Sequence, residues 1–365
     1  MELIEFIREH KLWIESISGT TVALIFVFGF SLSMWLTSLL LHKIRCCRES
    51  AINVAILLFS ALFSFFVAEW IYRYTIDQTD WLGGGMTHRW FLRHETNNSL
   101  GFRDEEHSLG KPENTFRIAF LGDGFIHGYG IRDITHLFPK RIETSLREQG
   151  IAVEALLFGK AGAGPTWMRN IIEEYAEPMG FDFVIYTHYM NDIEEVTLPG
   201  RPPPGDTSGH PPPKTAELFY HFAVVNYWYY RLNGVHQLVQ TQWHEWLDRC
   251  YRDPAAWQQH TENLDLLVDV LKHKGIPFFV VVIPFIETID VEEPYATWHR
   301  KLAGYFNSRQ IPFFDFRGRL KGEDPRALTV NLFDVHANEN LHDRIANWLL
   351  EIQPWSEALE NSTND

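Results

Sequence analysis

The chain has 365 residues, with 47 acidic against 32 basic side chains and a formal net charge of −15. That excess of negative charge excludes nucleic acid as a partner and disfavours acidic polymers, because phosphate binding needs a basic surface. The length admits one α/β domain with an appendage, or two domains.

Residues 1–19 form a charged N-terminal flank. Thr21 to Leu41 is then an uncharged apolar run and Ala51 to Ala68 a second, with Lys43, Arg45 and Arg48 close together between them. Each run approaches the roughly 20 residues that carry a helix across about 30 Å of hydrocarbon. The pair predicts a transmembrane helical hairpin over residues 20–70, with the bilayer as its partner; two buried core helices are the alternative. The charged segment Glu2 to Glu15 and the lack of a small-residue cleavage site argue against a cleaved signal peptide. Three basic residues in the short loop, against Arg8 and Lys11 among four glutamates before the first run, place the loop in the cytoplasm. The expectation is a two-pass inner-membrane protein whose large domain, beyond Trp70, is extracytoplasmic. Cys46 and Cys47 fall in the cytoplasmic loop, where thiols stay reduced, with acylation as the less favoured alternative; Cys250 is the single cysteine of the outer segment.

A linker is expected over residues 71–114. The pattern then alternates: strands Phe116–Leu121, Val153–Phe158 and Phe183–Thr187, with helices Phe138–Glu148 and Thr166–Tyr175 between them. Short continuous apolar runs separated by helices indicate a parallel sheet covered on both faces. Strands Ile276–Ile283 and Pro312–Phe316 bring the sheet to five, and a helix over Glu339–Leu350 closes the domain at 115–353, leaving a tail over 354–365. An insertion spans 196–250. Its Leu198 to Lys214 stretch holds seven prolines and is read as an extended loop. The aromatic Leu218 to Leu232 segment that follows is read as a helix capping the core, with sugar binding or a place at the lipid headgroups as alternatives.

Four short motifs punctuate this domain. Phe120-Leu121-Gly122-Asp123-Gly124 ends the first strand, Leu157-Phe158-Gly159 the second and Met190-Asn191-Asp192 the third, while Asp334-Val335-His336 precedes the last helix. In their order, and with Asn98-Ser99-Leu100-Gly101-Phe102-Arg103-Asp104 upstream, they resemble the blocks of the SGNH (GDSL-type) hydrolases, in particular membrane-anchored bacterial members. The resemblance covers about residues 98–352. It implies a three-layer, flavodoxin-like α/β domain that needs no cofactor and hydrolyses or transfers acyl esters through a serine. Here Gly124 stands at the serine position. By resemblance His336 is the base, Asp334 orients it, and Gly159, Asn191 and Asp123 belong to the oxyanion and binding side. Tyr189, Leu157 and Leu341 also depart from the family's usual residues.

Carboxyl ends of parallel strands are where open α/β sheets bind ligands, and that placement of the first three motifs is independent of the resemblance. Loss of the hydroxyl excludes covalent catalysis at residue 124; loss of a triad serine costs about 10⁶-fold in another hydrolase fold. Two substitutes are conceivable. One is a zinc ion held by His127, His188 and His336, which is disfavoured; the other is a water activated by His336. The expected function is therefore an extracytoplasmic esterase or O-acyl(acetyl)transferase-like domain acting on cell-envelope carbohydrate esters, degenerate in its serine step. The alternative is a catalytically silent domain that binds acylated glycan or an envelope-biosynthesis protein, and a weaker third is a protein that docks on a membrane partner.

Overall fold

The computed structural model describes residues 48–80, 85–196, 198, 222–232 and 235–362. The expected first span Thr21–Leu41, the loop with Cys46 and Cys47, and nearly all of the proline-rich stretch lie outside these residues. The described chain divides into two compact units.

The first unit contains helix α1 (Arg48–Tyr74), helix α2 (Gly85–His94) and the helix at Ala223–Leu232. Within α1, Ile52–Tyr74 is long and apolar enough to cross a membrane, with a mean hydropathy of 2.2. The second apolar run thus forms a longer helix than its sequence bounds, because Tyr72 and Tyr74 extend it beyond Ala68. Glu69 caps the Ala223–Leu232 helix, accepting the N–H groups of Ala223 and Val224 at 2.9 Å each. Arg73 holds the same carboxylate at 2.8 Å. Two otherwise unsatisfied donors at that helix start are thereby answered.

The second unit carries the sheet. Its strands are β1 (Phe116–Gly122), β2 (Val153–Gly159), β3 (Phe183–Tyr189), β4 (Phe278–Ile283) and β5 (Phe313–Asp315), all parallel, in the order β2-β1-β3-β4-β5. That is the doubly wound order whose ligand crevice opens where neighbouring strands leave in opposite directions, at β1 and β3. Burial explains the mainly apolar runs: every residue of β1 and of β3 is buried, Arg117, Thr187 and His188 included, so neither strand shows a face to water.

Parallel strands need crossovers, and helices supply them. Helix α3 (Gly124–His127) follows β1 directly, and α4 (Phe138–Glu148) leads into β2. Helix α5 (Pro165–Met179) crosses from β2 to β3. After the Ala223–Leu232 helix, α6, come α7 (Val235–Arg252) and α8 (Pro254–His273), then β4, α9 (Tyr295–Ser308), β5 and α10 (Glu339–Ile352). Helix α4 packs with α10 in one layer, and α5 with α8 in the other. Helices α7, α8 and α9 were not read from the sequence.

The upstream motif has a mechanical role. Buried Arg103 donates to the carbonyls of His127, Gly128, Ile131 and Arg132 at 2.6–3.1 Å, holding the turn after α3. Asp104 accepts the Leu157 N–H on edge strand β2 at 2.8 Å and pairs with buried Lys140 at 2.8 Å.

Candidate active site

At the end of β1, Asp123 caps the short helix α3, accepting the Phe125 N–H at 3.1 Å. Its carboxyl is buried, which raises its pKa above the ordinary range despite that N–H and the nearby His336. Gly122 and Gly159 are neighbours across β1 and β2. A Cβ on Gly159 would lie 2.2 Å from the backbone nitrogen of His127, so α3 sits on β2 at a distance only glycine permits.

Asp334 and His336 reach this point from the loop before α10. Asn331 Oδ1 accepts the N–H groups of Phe333 and Asp334, at 2.8 and 3.0 Å, and tightens that loop. The Asp334 carboxylate is fully buried and accepts His336 Nδ1 at 2.6 Å and the His336 N–H at 3.1 Å. Its other oxygen accepts the hydroxyl of Thr79, and Asn331 Nδ2 donates to the Thr79 carbonyl at 2.9 Å. Tyr129 stacks on the imidazole, with ring centroids 4.8 Å apart and planes 18° from parallel. Donation from Nδ1 to the carboxylate leaves Nε2 as the acceptor.

That Nε2 faces Gly124. A Cβ at residue 124 would stand 2.7 Å from it, well inside the 3.4 Å at which ordinary contact begins. The φ of Gly124 lies outside the left-handed region, and the imidazole occupies the room a side chain would take. Burial alone would lower the pKa of His336, but Asp334 beside it, with help from Asp123 and Glu287, raises it above the usual imidazole value. Burial likewise opposes ionisation of Asp334, and the charge and hydrogen bonds of His336 with the Thr79 hydroxyl hold it below its usual value.

Asn191 stands just past the carboxyl end of β3, with φ −88° and ψ −3°, and its Oδ1 is buried without a hydrogen-bond partner among the described residues. Asp192, next to it, accepts the Tyr186 hydroxyl at 2.5 Å, and burial raises its pKa well above the usual carboxylate value, against that hydrogen bond. The three histidines weighed as a zinc site are spread out: buried His188 faces His260 at 3.4 Å, His127 faces Glu95 at 3.4 Å, and His336 is held by Asp334. Among the described residues no three metal-ligating side chains form a group.

Sequence reading missed Thr79, which lies 255 positions before the carboxylate it touches. It also missed Glu287, four residues past β4. Burial raises the Glu287 carboxyl to about 7, against the lowering influence of Gln240 and His336. The carboxyl-end rule applied to β4 would have marked it.

No family model matches the chain, and no curated protein matches it. Among solved structures, an acetyl xylan esterase named AlAXEase is 11% identical with a TM-score of 0.38, over 65% of this chain and 99% of that one. A family 3 carbohydrate esterase of Clostridium thermocellum is 12% identical with a TM-score of 0.40, over 68% and 98%. A catalytic mutant of an acetylxylan esterase from Geobacillus stearothermophilus is 15% identical with a TM-score of 0.40, over 65% and 94%. The chemistry below comes from this chain's own residues.

Proposed function

We propose that the chain is a membrane-anchored, extracytoplasmic SGNH-type domain for acyl esters of cell-envelope carbohydrate, an esterase or O-acyl(acetyl)transferase relative that has lost its serine step. The observation that carries this is the Asp334–His336 dyad, at 2.6 Å, directed at Gly124 on the carboxyl edge of the sheet. With no hydroxyl at residue 124, the chemistry left is attack by water. A water gives its proton to His336 Nε2 as its oxygen bonds to the acyl carbon, and the imidazolium returns that proton to the departing alkoxide. Asp334 stabilises the imidazolium in between. Gly159 and Asn191, on either side of β1, are the candidates to bind the oxyanion.

The silent-domain reading has its own support, since the imidazole fills room a serine side chain needs. Hydrolysis of p-nitrophenyl acetate and of acetylated xylan by the full chain in detergent decides between them. Slow turnover, about 10⁶-fold below that of a serine enzyme, abolished by His336→Ala and without labelling by a fluorophosphonate, is expected. Turnover unaffected by His336→Ala would leave binding as the function.

A further inference from the structure

A cavity of about 630 Å³ lies between α7 and the turns that link β4 to α9, with Glu287 in its wall. Its size is that of a small-ligand site, roughly 300–1,000 Å³. The mechanism above uses none of its walls. Glu287 Oε1 accepts Gln240 Nε2 at 2.8 Å, while Glu287 Oε2 is buried with no hydrogen-bond partner among the described residues. His244 stacks on Phe285 at 4.8 Å and binds the Tyr295 hydroxyl through Nδ1 at 2.8 Å. His244 Nε2 is left without a hydrogen bond, 3.5 Å from Glu287 Oε1.

These spare valences select a ligand chemistry. In the tautomer in which the Tyr295 phenol donates to Nδ1, a neutral imidazole carries its proton on Nε2 and offers a donor beside a carboxyl acceptor. A hydroxyl, which both accepts and donates, satisfies the pair at once; an ammonium or a carboxylate satisfies only half of it. Burial supports the neutral ring, lowering His244 to about 4. Charge narrows the choice further. Among the described residues no Lys or Arg lines the cavity, and Glu245 is exposed at its rim. Asp248 is already engaged by Trp298 Nε1 at 3.0 Å and Arg252 at 2.7 Å. An anionic ligand would meet the Glu287 and Glu245 carboxyls, with Arg252 already paired to Asp248.

We propose that this cavity is a subsite for an uncharged, hydroxyl-bearing sugar ring, read by Glu287, His244 and Gln240. It rests on the ester-processing reading only for its purpose, which is to seat the glycan so that its acyl group meets His336. Glu287 and His336 are close enough for each to bias the charge of the other.

Saturation-transfer difference NMR on the full chain in detergent tests it, with xylobiose, cellobiose, mannobiose and digalacturonic acid as probes. At least one neutral disaccharide binds and digalacturonic acid does not. Gln240→Ala weakens that binding about threefold and Glu287→Leu about tenfold, from loss of hydrogen bonds to the sugar. No binding of any neutral disaccharide overturns the proposal. So does preference for digalacturonic acid, or equal binding by a Gln240→Ala variant that melts like the natural chain. Sugar binding without ester turnover sinks the hydrolase reading alone; turnover of p-nitrophenyl acetate without sugar binding sinks the subsite alone.

Discussion

At residue 124 the missing side chain is only half of the change, because His336 Nε2 has come to within 2.7 Å of where its Cβ would be. Gly124→Ser is therefore expected to restore fluorophosphonate labelling and to raise ester hydrolysis about tenfold, far short of the roughly 10⁶-fold a triad serine supplies elsewhere. Gly124→Ala separates the causes: it brings the same crowding without the hydroxyl and should gain nothing. Equal rates for the serine and alanine variants would show a pocket that has left serine chemistry. The dyad also has a signature in stability. His336 is raised in the folded chain, so its contribution is complete below the unfolded value near 6.5 and fades as pH climbs through the folded one. Asp334 is lowered, so its contribution is complete above about 3.8 and is lost as pH falls through the folded value. The dyad thus stabilises most between these limits. His336→Gln should lower the melting temperature more at pH 5.5 than at pH 9, and a flat difference would mean the pair carries no charge.

Among elements, the junction of α3 with β2 is the least forgiving. Gly159→Ala would drive a methyl against the His127 backbone nitrogen, 2.2 Å away, and the neighbour is main chain that cannot swing aside. A loss of about 2–3 kcal/mol in denaturant unfolding is expected from overpacking; a loss under half a unit would show that α3 yields easily. Lys140→Met should cost about 3 kcal/mol, since it leaves the buried Asp104 carboxylate without its cation. The five strands were legible because each is a short, mainly apolar run, interrupted only by residues such as Arg117 in β1 and Glu154 in β2, and the ends of β1 and β2 fell within a residue of the sequence bounds. Helix α8 was not, because His260 interrupts its buried stripe of Ala256, Leu264, Leu267, Val268 and Leu271. The dyad was legible since its members lie two positions apart, with only Val335 between them. Thr79 and the Glu287–His244 pair were not, because folding alone brings distant segments together and no local pattern announces them.

For the whole molecule, the proposed span sets an orientation that can be tested. The helix Ile52–Tyr74 has the length and hydropathy of a span, and Ile52, Val54, Leu57, Leu58 and Phe63 are among its exposed apolar side chains. Lys43, Arg45 and Arg48 sit at its N-terminal side, where cationic residues are retained in the cytoplasm. The orientation predicted is cytoplasmic before the helix and extracytoplasmic after it. Cys250 is fully buried, so it would stay silent towards a membrane-impermeant maleimide whichever side it occupied. An exposed cysteine is needed, and Gln149, at the exposed end of α4, is a suitable position. Intact cells carrying Gln149→Cys should be labelled while cells with the natural chain are not, and lysed cells should show the same Gln149→Cys signal. Labelling of that position only after lysis would place the sheet in the cytoplasm. The envelope carbohydrate would then be out of reach, and any ester met by the His336 dyad would have to come from inside the cell.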